Sequence, residues 1–209
     1  MGISMSDSKL AELARMIEAW PGLVSAPAAE LIDDSLVLLD FLADARRLAD
    51  VGSGGGLPGL ALKLARPDLH VTLIEADQSK AAFLIQAAAR LVLTDVEVVG
   101  RPAEEVGRDP RYRESFDVAV ARALAAMPVL AELCLPLVRV GGRLLAQKTE
   151  TEDVFGATHA IELLGGSLDA VAAAQSGARA EGTVVVVRKV AVTPARYPRR
   201  PGVPRRRPL

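Results

Sequence analysis

A glycine cluster directly after a short apolar segment places the strongest constraint on this chain. Residues 48–59 read LADVGSGGGLPG, in which apolar residues lead to an acid, glycines follow, and a proline comes near the end. This order is typical of a parallel strand, a tight ligand-binding loop and the start of a helix in an α/β fold. Two glycine spacings overlap here, Asp50-x-Gly52-x-Gly54-x-Gly56 and Gly54-x-Gly56-x-x-Gly59.

Ligand chemistry separates these two spacings. The second is the dinucleotide fingerprint, whose pyrophosphate needs bare backbone amides, and the carboxylate of Asp50 would repel that anion. The first resembles the cofactor loop of enzymes that bind S-adenosylmethionine (SAM), which presents an ammonium and a sulfonium but no phosphate. Gly52 also follows the predicted strand directly, as the first glycine of a tight turn should. The loop therefore favours SAM over NAD, with Asp50 at the cofactor.

The rest of the chain alternates between predicted strands and helices. With 209 residues, 50% of them hydrophobic, it can bury one sizeable core. The predicted strands are continuous apolar runs, which indicate a parallel sheet covered on both faces. They are Arg47 to Val51, Leu69 to Glu75, Val96 to Val99, Phe116 to Ala121, Arg143 to Gln147 and Thr183 to Val190. The predicted helices between them are Pro58 to Ala65, Gln78 to Val92, Met127 to Val138 and Glu150 to Leu164.

These patterns predict a Rossmann-like α/β fold of the SAM-dependent methyltransferase type, with a mostly parallel sheet, helices on both faces and a short helical cap. Apolar residues at helical spacing from Leu10 to Trp20, and again from about Ala28 to Ala45, predict the cap. We predict three parts: the cap in residues 1–45, the SAM-binding core in 46–192, and a basic tail rich in proline and arginine in 193–209.

In a doubly wound sheet, ligands bind beyond the carboxyl ends of the strands. Glu75 lies 23 residues after Gly52, close to the offset of about 20 at which an acid meets ribose hydroxyls. An ionised carboxylate only accepts hydrogen bonds, which suits a vicinal diol. Glu75 could equally be a solvated residue at a strand end, but its coupling to the glycine loop favours the ribose role.

Two further strand ends carry polar candidates. Glu104, soon after the strand Val96 to Val99, could accept from the adenine amino group, or it could belong to the first turn of a helix. Arg122 follows the strand Phe116 to Ala121 and would emerge at the mouth of the pocket. An arginine there needs an anionic or carbonyl partner, because its charge is costly to bury alone.

The net charge of −1 conceals a strong asymmetry along the chain. From Arg188 to the C-terminus there are eight basic residues and no acids, whereas the rest has 17 basic and 26 acidic residues. The prolines of this tail are expected to keep it extended. The tail could contact the phosphate backbone of a nucleic acid, or be solvated, or pair with the acidic body.

Several classes of protein are disfavoured. Cys134 is the single cysteine, so no internal disulfide can form, which suits a reducing cytoplasm. No segment predicts a membrane span or signal peptide, and two histidines with one cysteine give no metal-binding spacing. There is no Asn-Pro-Pro-aromatic motif for methylating an exocyclic amine, and no Pro-Cys nucleophile for methylating carbon. We expect a cytoplasmic protein with no bound metal and no membrane partner.

From about Asp33 to its end, the chain resembles the bacterial small-subunit ribosomal RNA guanine-N7 methyltransferases, also called the glucose-inhibited division protein B family. The resemblance is carried by DVGSGGGLPGLALKLARPDL, TLIEADQSKAAFL, GRPAEE, FDVAVARAL, LPLVRVGGRLLAQK and TPARYPRRPGVPRRRPL. Leu31 stands where the family usually has a histidine. The resemblance implies that the partner is small-subunit rRNA or its ribonucleoprotein, and we expect a monomer. It implies SAM contacts by Gly52, Leu57, Ala103, Glu104 and Arg122, and an RNA contact by Lys148.

The resemblance also implies a reaction that needs no catalytic acid or base. Guanine N7 has an in-plane lone pair and no proton to lose, so positioning, with help from Arg122 and Lys148, should dominate catalysis. The tail arginines are the predicted phosphate contacts: Arg199, Arg200, Arg205, Arg206 and Arg207. Two alternatives stay open: a small-molecule methyltransferase with an unrelated basic tail, and a non-catalytic ribosome-assembly factor that binds SAM and RNA.

Overall fold

The computed structural model describes residues 5–23, 26–148, 154–177 and 182–209. The α-helices are α1 (Met5–Ala19), α2 (Ala28–Leu36), α3 (Gly59–Ala65), α4 (Gln78–Arg90), α5 (Ala103–Val106), α6 (Met127–Cys134), α7 (Thr158–Leu163) and α8 (Val203–Arg206). The strands are β1 (Arg47–Val51), β2 (His70–Ile74), β3 (Val96–Val99), β4 (Phe116–Arg122), β5 (Val138–Lys148), β6 (Gly166–Ala173) and β7 (Thr183–Lys189).

The strands form one sheet in the order β3-β2-β1-β4-β5-β7-β6. Strands β1 to β5 pair in parallel, and β7 runs antiparallel to both of its neighbours. This confirms the predicted α/β fold with a mostly parallel sheet. The strand order reverses between β1 and β4, and the crevice beyond their carboxyl ends is where such folds bind ligands.

Successive side chains of each strand point to opposite faces of the sheet, and an apolar layer packs on each face. In β1, Leu48 packs into the layer that contains α1 to α4, whereas Ala49 and Val51 pack into the layer that contains α6 and α7. The side chains of Leu13 in α1 and Ile32 in α2 are buried in the first of these layers. The two N-terminal helices are thus continuous with the core, and the division at residue 45 stays a prediction.

The structure differs from the sequence expectations in the second half of the sheet. Strand β6 was not predicted, and β5 begins at Val138 instead of Arg143. The helix expected from Ala28 to Ala45 ends at Leu36 and is followed by a 3₁₀ segment, Val37–Phe41. Of the helix expected from Glu150 to Leu164, the structure has α7 and a preceding 3₁₀ turn; residues 150–153 lie outside the described part.

The C-terminal tail also differs from its expectation, because it is not extended throughout. Val203–Arg206 forms one helical turn, α8, with Pro204 at its second position, where a helix needs no donor from the backbone nitrogen. Tyr197, Pro198 and Pro204 are buried against the body. Within the described residues, no helix has the length and apolarity to cross a membrane, and no group of three or more His, Cys, Asp or Glu side chains could hold a metal.

Candidate cofactor site

The glycine loop turns back immediately after β1. The backbone N–H groups of Gly52 and Ser53 both donate to the carbonyl oxygen of Ile74, at 2.9 and 3.1 Å, which joins the loop to the end of β2. Gly52 and Gly54 have φ angles of 74° and 52°, in the left-handed region that favours glycine. The sharp turn therefore requires glycine at both positions.

Asp50 lies beneath the loop and does not line the cofactor pocket, which corrects the prediction that it meets the ligand. The alternation of β1 turns its fully buried side chain toward α3, the same way as Leu48. Its Oδ2 accepts the backbone N–H of Gly59 at 2.9 Å, while Oδ1 has no partner among the described residues. Burial raises the pKa of this carboxyl from 3.8 to about 7, although the Gly59 hydrogen bond and the charge of Arg122 oppose that rise.

This contact also bears on the choice between the two glycine spacings. Gly59 is the first residue of α3 and the last glycine of the dinucleotide fingerprint. Its N–H already donates to Asp50, so this amide is not available to a pyrophosphate. A Cβ at Gly59 would lie 2.6 Å from Asp50 Oδ2, which explains the glycine by close packing. Close helix–strand packing is also the role of the last glycine in the dinucleotide fingerprint, so this contact alone is compatible with both spacings.

Gly56 and Leu57 support the loop from the core side and do not line the pocket. A Cβ at Gly56 would lie 2.4 Å from Leu60 Cδ1 and 3.2 Å from Leu84 Cδ2. Leu57 is buried in the same apolar layer as these leucines. They fix the path of the loop whose earlier glycines face the pocket, and a direct contact of Gly56 or Leu57 with the cofactor stays a prediction.

Glu75 follows β2 and is held by two backbone amides. Its Oε2 accepts from Gly54 N at 2.8 Å, and its Oε1 accepts from Asp77 N at 2.9 Å. Because a carboxylate has about four acceptor positions, each oxygen can take a further hydrogen bond. Glu75 thus joins the glycine loop to the start of α4 and presents fixed acceptors in the pocket.

A pocket of about 360 Å³ opens at the carboxyl ends of β1, β2 and β4, at the reversal of strand order. It brings together seven residues that the sequence singled out. They are Gly52, Gly54, Glu75, Ala103, Glu104, Arg122 and Arg205. The predicted site is therefore assembled in space, although its contacts with a ligand stay predictions.

Glu104 lies in α5, which follows β3, and Arg122 is the last residue of β4. Glu104 is 8% exposed, and its Oε1 accepts the backbone N–H of Gly202 at 2.9 Å. The side chain of Arg122 is 15% exposed, with Nη1 3.9 Å from Oδ2 of buried Asp34 in α2. The second cap helix therefore supplies the anionic neighbour that the sequence required for this arginine.

Sequence reasoning missed two cations that line the same pocket, Lys80 and Arg101. Arg101 donates to Asp109 at 2.9 Å, and the ammonium of Lys80 has no partner among the described residues. Both follow the carboxyl ends of strands, Lys80 after β2 and Arg101 after β3. Applying the strand-end rule to basic residues as well as acids would have found them.

Lys148 ends β5, as predicted, but it is only 6% exposed. Its ammonium donates to the backbone carbonyl oxygen of Ala125, in the loop after β4. This contact ties the ends of β4 and β5 together. An RNA contact by Lys148 stays a prediction.

The structure separates the five tail arginines into different environments. Arg199 forms a bidentate pair with Glu132, whose side chain is fully buried in α6, with the shortest N–O distance 2.5 Å. This guanidinium anchors the tail to the body, and a phosphate contact by Arg199 stays a prediction. The sequence signal for this ion pair is Glu132, an acid inside the apolar segment VLAELCLPLV, because a buried carboxylate needs a cationic partner.

The other four tail arginines remain at the surface. Arg205 lines the pocket and donates from Nη2 to the carbonyl oxygen of Leu124 at 3.1 Å. Arg200, Arg206 and Arg207 are exposed, and their guanidinium groups have no hydrogen-bond or ion-pair partner among the described residues. The tail therefore carries free positive charge beside the pocket mouth.

The fold is that of the SAM-dependent methyltransferases. A SAM-dependent methyltransferase from Aquifex aeolicus superposes with a TM-score of 0.60 at 18% identity, over 88% of this chain and 98% of that one. This likeness establishes the architecture and confirms the predicted fold class.

Sequence comparison defines the family. Residues 26–180 match the GidB family, described as rRNA small subunit methyltransferase G. The ribosomal RNA small subunit methyltransferase G of Roseiflexus castenholzii is 50% identical over 165 residues, covering 78% of this chain and 70% of that protein. The Moorella thermoacetica protein of the same name is 45% identical over 183 residues, covering 84% and 75%. The chain belongs to this family. This result confirms the predicted family and the prediction that the protein is a SAM-dependent methyltransferase.

Proposed function

We propose that this protein transfers the methyl group of SAM to N7 of a guanine in 16S rRNA. The observation that carries the proposal is the convergence of Gly52, Glu75, Glu104 and Arg122 on one pocket at the strand reversal. The family supplies the type of reaction and of RNA. We further propose that the protein acts as a monomer in the cytoplasm.

The residues of the pocket fit SAM. Glu75 offers acceptors for the ribose hydroxyls, and Glu104 offers an acceptor for the adenine amino group. Among the described residues, a Cβ at Gly54 would have only Gly52 O within 4 Å, at 3.9 Å, so the backbone is approachable there. Arg122 is placed to pair with the carboxylate of the methionine part or to stack on the target base.

The geometry suits a reaction governed by positioning. SAM supplies an electrophilic methyl group, and guanine N7 attacks with a lone pair and releases no proton. The two carboxylates of the pocket, Glu75 and Glu104, both accept backbone N–H groups, which suits holding a ligand in place. Orienting two reactants in line can supply on the order of 7 to 11 kcal/mol of the barrier.

RNA would approach over the exposed tail. Arg200, Arg206 and Arg207 present positive charge beside Arg205 at the pocket. Phosphate contacts of this type position an RNA without reading its sequence. The same patch would place a nearby guanine within reach of the pocket.

Transfer of a labelled methyl group separates this proposal from its two rivals. The purified protein is incubated with SAM carrying a tritiated methyl group and with 16S rRNA, free or in small subunits prepared from cells that lack the enzyme. We expect label in one guanine that becomes sensitive to cleavage at N7-methylguanine. Label only in small molecules would support the small-molecule enzyme, and RNA binding without label would support the assembly factor.

A further inference from the structure

The C-terminal tail reaches the cofactor pocket itself. The backbone N–H of Gly202 donates to Glu104 Oε1, and Arg205 both lines the pocket and bonds to the carbonyl oxygen of Leu124. Leu124 lines the pocket as well, and one of its methyl carbons would lie 2.5 Å from a Cβ built at Gly52. Residues 202–206 therefore contact the elements on two sides of the pocket, and we call them the tail wall.

The tail wall is held by interactions away from the pocket. Arg199 pairs with buried Glu132, and its backbone N–H donates to the same carboxylate at 2.8 Å. Arg113 donates to the carbonyl oxygens of Thr193 and Tyr197, at 2.7 and 2.9 Å. Pro204, inside the wall, is buried. These contacts fix the approach of the segment to the pocket from its N-terminal side.

We infer that the tail wall is part of the cofactor site: Gly202 positions Glu104 for SAM, and Arg205 holds the wall against the backbone of Leu124. This inference rests on the proposed function, in which Glu104 meets the adenine. The Gly202 N–H fixes one carboxylate oxygen of a side chain that is only 8% exposed. A side chain held in its binding conformation loses less entropy when a ligand arrives, which strengthens binding.

Thermodynamic linkage makes the effect reciprocal. If the docked wall strengthens SAM binding by some factor, bound SAM stabilises the docked wall by the same factor. Coupling of this kind is about 5- to 150-fold in affinity. The tail therefore joins two events on one segment, cofactor binding through residues 202–206 and RNA binding through its exposed arginines.

The first test compares two truncated chains by calorimetry with SAM in the absence of RNA. A chain ending at Pro201 lacks the wall, and a control chain ending at Arg207 keeps it. We expect SAM to bind the first about 5- to 150-fold more weakly than the full chain, and the control to bind within about twofold. Unchanged affinity without the wall, or an equal loss in both truncated chains, would overturn the inference.

The second test uses the intact protein, so a folding defect in the shorter chain cannot obscure the answer. Hydrogen exchange of the Gly202 amide is measured with and without S-adenosylhomocysteine, the product that lacks the methyl group. We expect exchange at least about fivefold slower with the ligand, and equal rates would contradict the inference. If the full chain binds neither SAM nor its product, the proposed function itself fails; if it binds and the wall has no effect, only the inference fails.

Discussion

Asp50 gives the stability of this protein a pH dependence that the substitution Asp50→Asn should remove. The side chain is fully buried, and only Oδ2 has a hydrogen-bond partner among the described residues. Burial raises its pKa from 3.8 to about 7. The folded protein therefore keeps a proton that the unfolded chain releases between these two pH values.

The sign and size of the effect follow from this difference. Because the folded state binds more protons between pH 3.8 and about 7, the free energy of unfolding falls as the pH rises through that window. The contribution is fully present below pH 3.8 and is lost above about pH 7. At about 1.4 kcal/mol per pH unit, the total is about 4 kcal/mol.

Urea unfolding of the wild type and of Asp50→Asn at several pH values between 4.5 and 8 measures this directly. Asparagine keeps an acceptor for the Gly59 N–H but does not titrate. We expect the variant to gain about 1.4 kcal/mol per pH unit relative to the wild type up to about pH 7, and nothing more above it. Asp68→Asn, at a partly exposed site paired with Arg66, is the control and should show no such slope there. A pH-independent difference for Asp50→Asn would refute the reasoning.

Three further predictions concern the ligand sites and the tail. Glu75→Ala should weaken SAM binding by about 1 to 3 kcal/mol in calorimetry, because a positioned acceptor is lost; Glu105→Ala, on an exposed neighbour of Glu104, should not. Arg199→Met leaves the carboxylate of Glu132 buried without its cation and should lower the free energy of unfolding by about 3 kcal/mol; a change below about 0.5 kcal/mol would show that the pair is unimportant. Arg207→Gln should flatten the plot of log RNA affinity against log salt by about 0.7 to 0.9, with SAM affinity unchanged, and an unaltered slope would remove this residue from the phosphate contacts.

The first half of the sheet was predictable because its strands are short apolar runs that end at glycine or acidic residues. Strands β1 and β3 have the predicted bounds. β6 was missed because its residues, GSLDAVAA, are mainly glycine, aspartate and alanine, which are depleted in strands, and because it lies at the sheet edge with half of its residues exposed. The start of β5 was missed because Gly141-Gly142 resembles a turn, whereas Gly142 lies within the strand, where a Cβ would be 2.5 Å from Asp117 O.

The site was predictable to the extent that it follows from strand ends. Glu75, Glu104 and Arg122 all reach the pocket, as the topology of a doubly wound sheet requires. The direction of Asp50 was available from the two-residue period of β1, because Leu48 on the same face is a core residue. The contact between Gly202 and Glu104 could not be predicted from the sequence, because it joins positions 98 residues apart through a backbone donor that leaves no pattern in the sequence.

Mapping the methylated nucleotide tests the central claim most directly. Small subunits from cells that lack this enzyme are treated with the purified protein and SAM, the 16S rRNA is cleaved at N7-methylguanine, and primer extension locates the break. We predict one new stop, at a guanine, that is absent when the protein or SAM is omitted and strongly reduced with Glu75→Ala. Methyl transfer to a base other than guanine, to another atom of guanine, or to no rRNA at all would contradict the account.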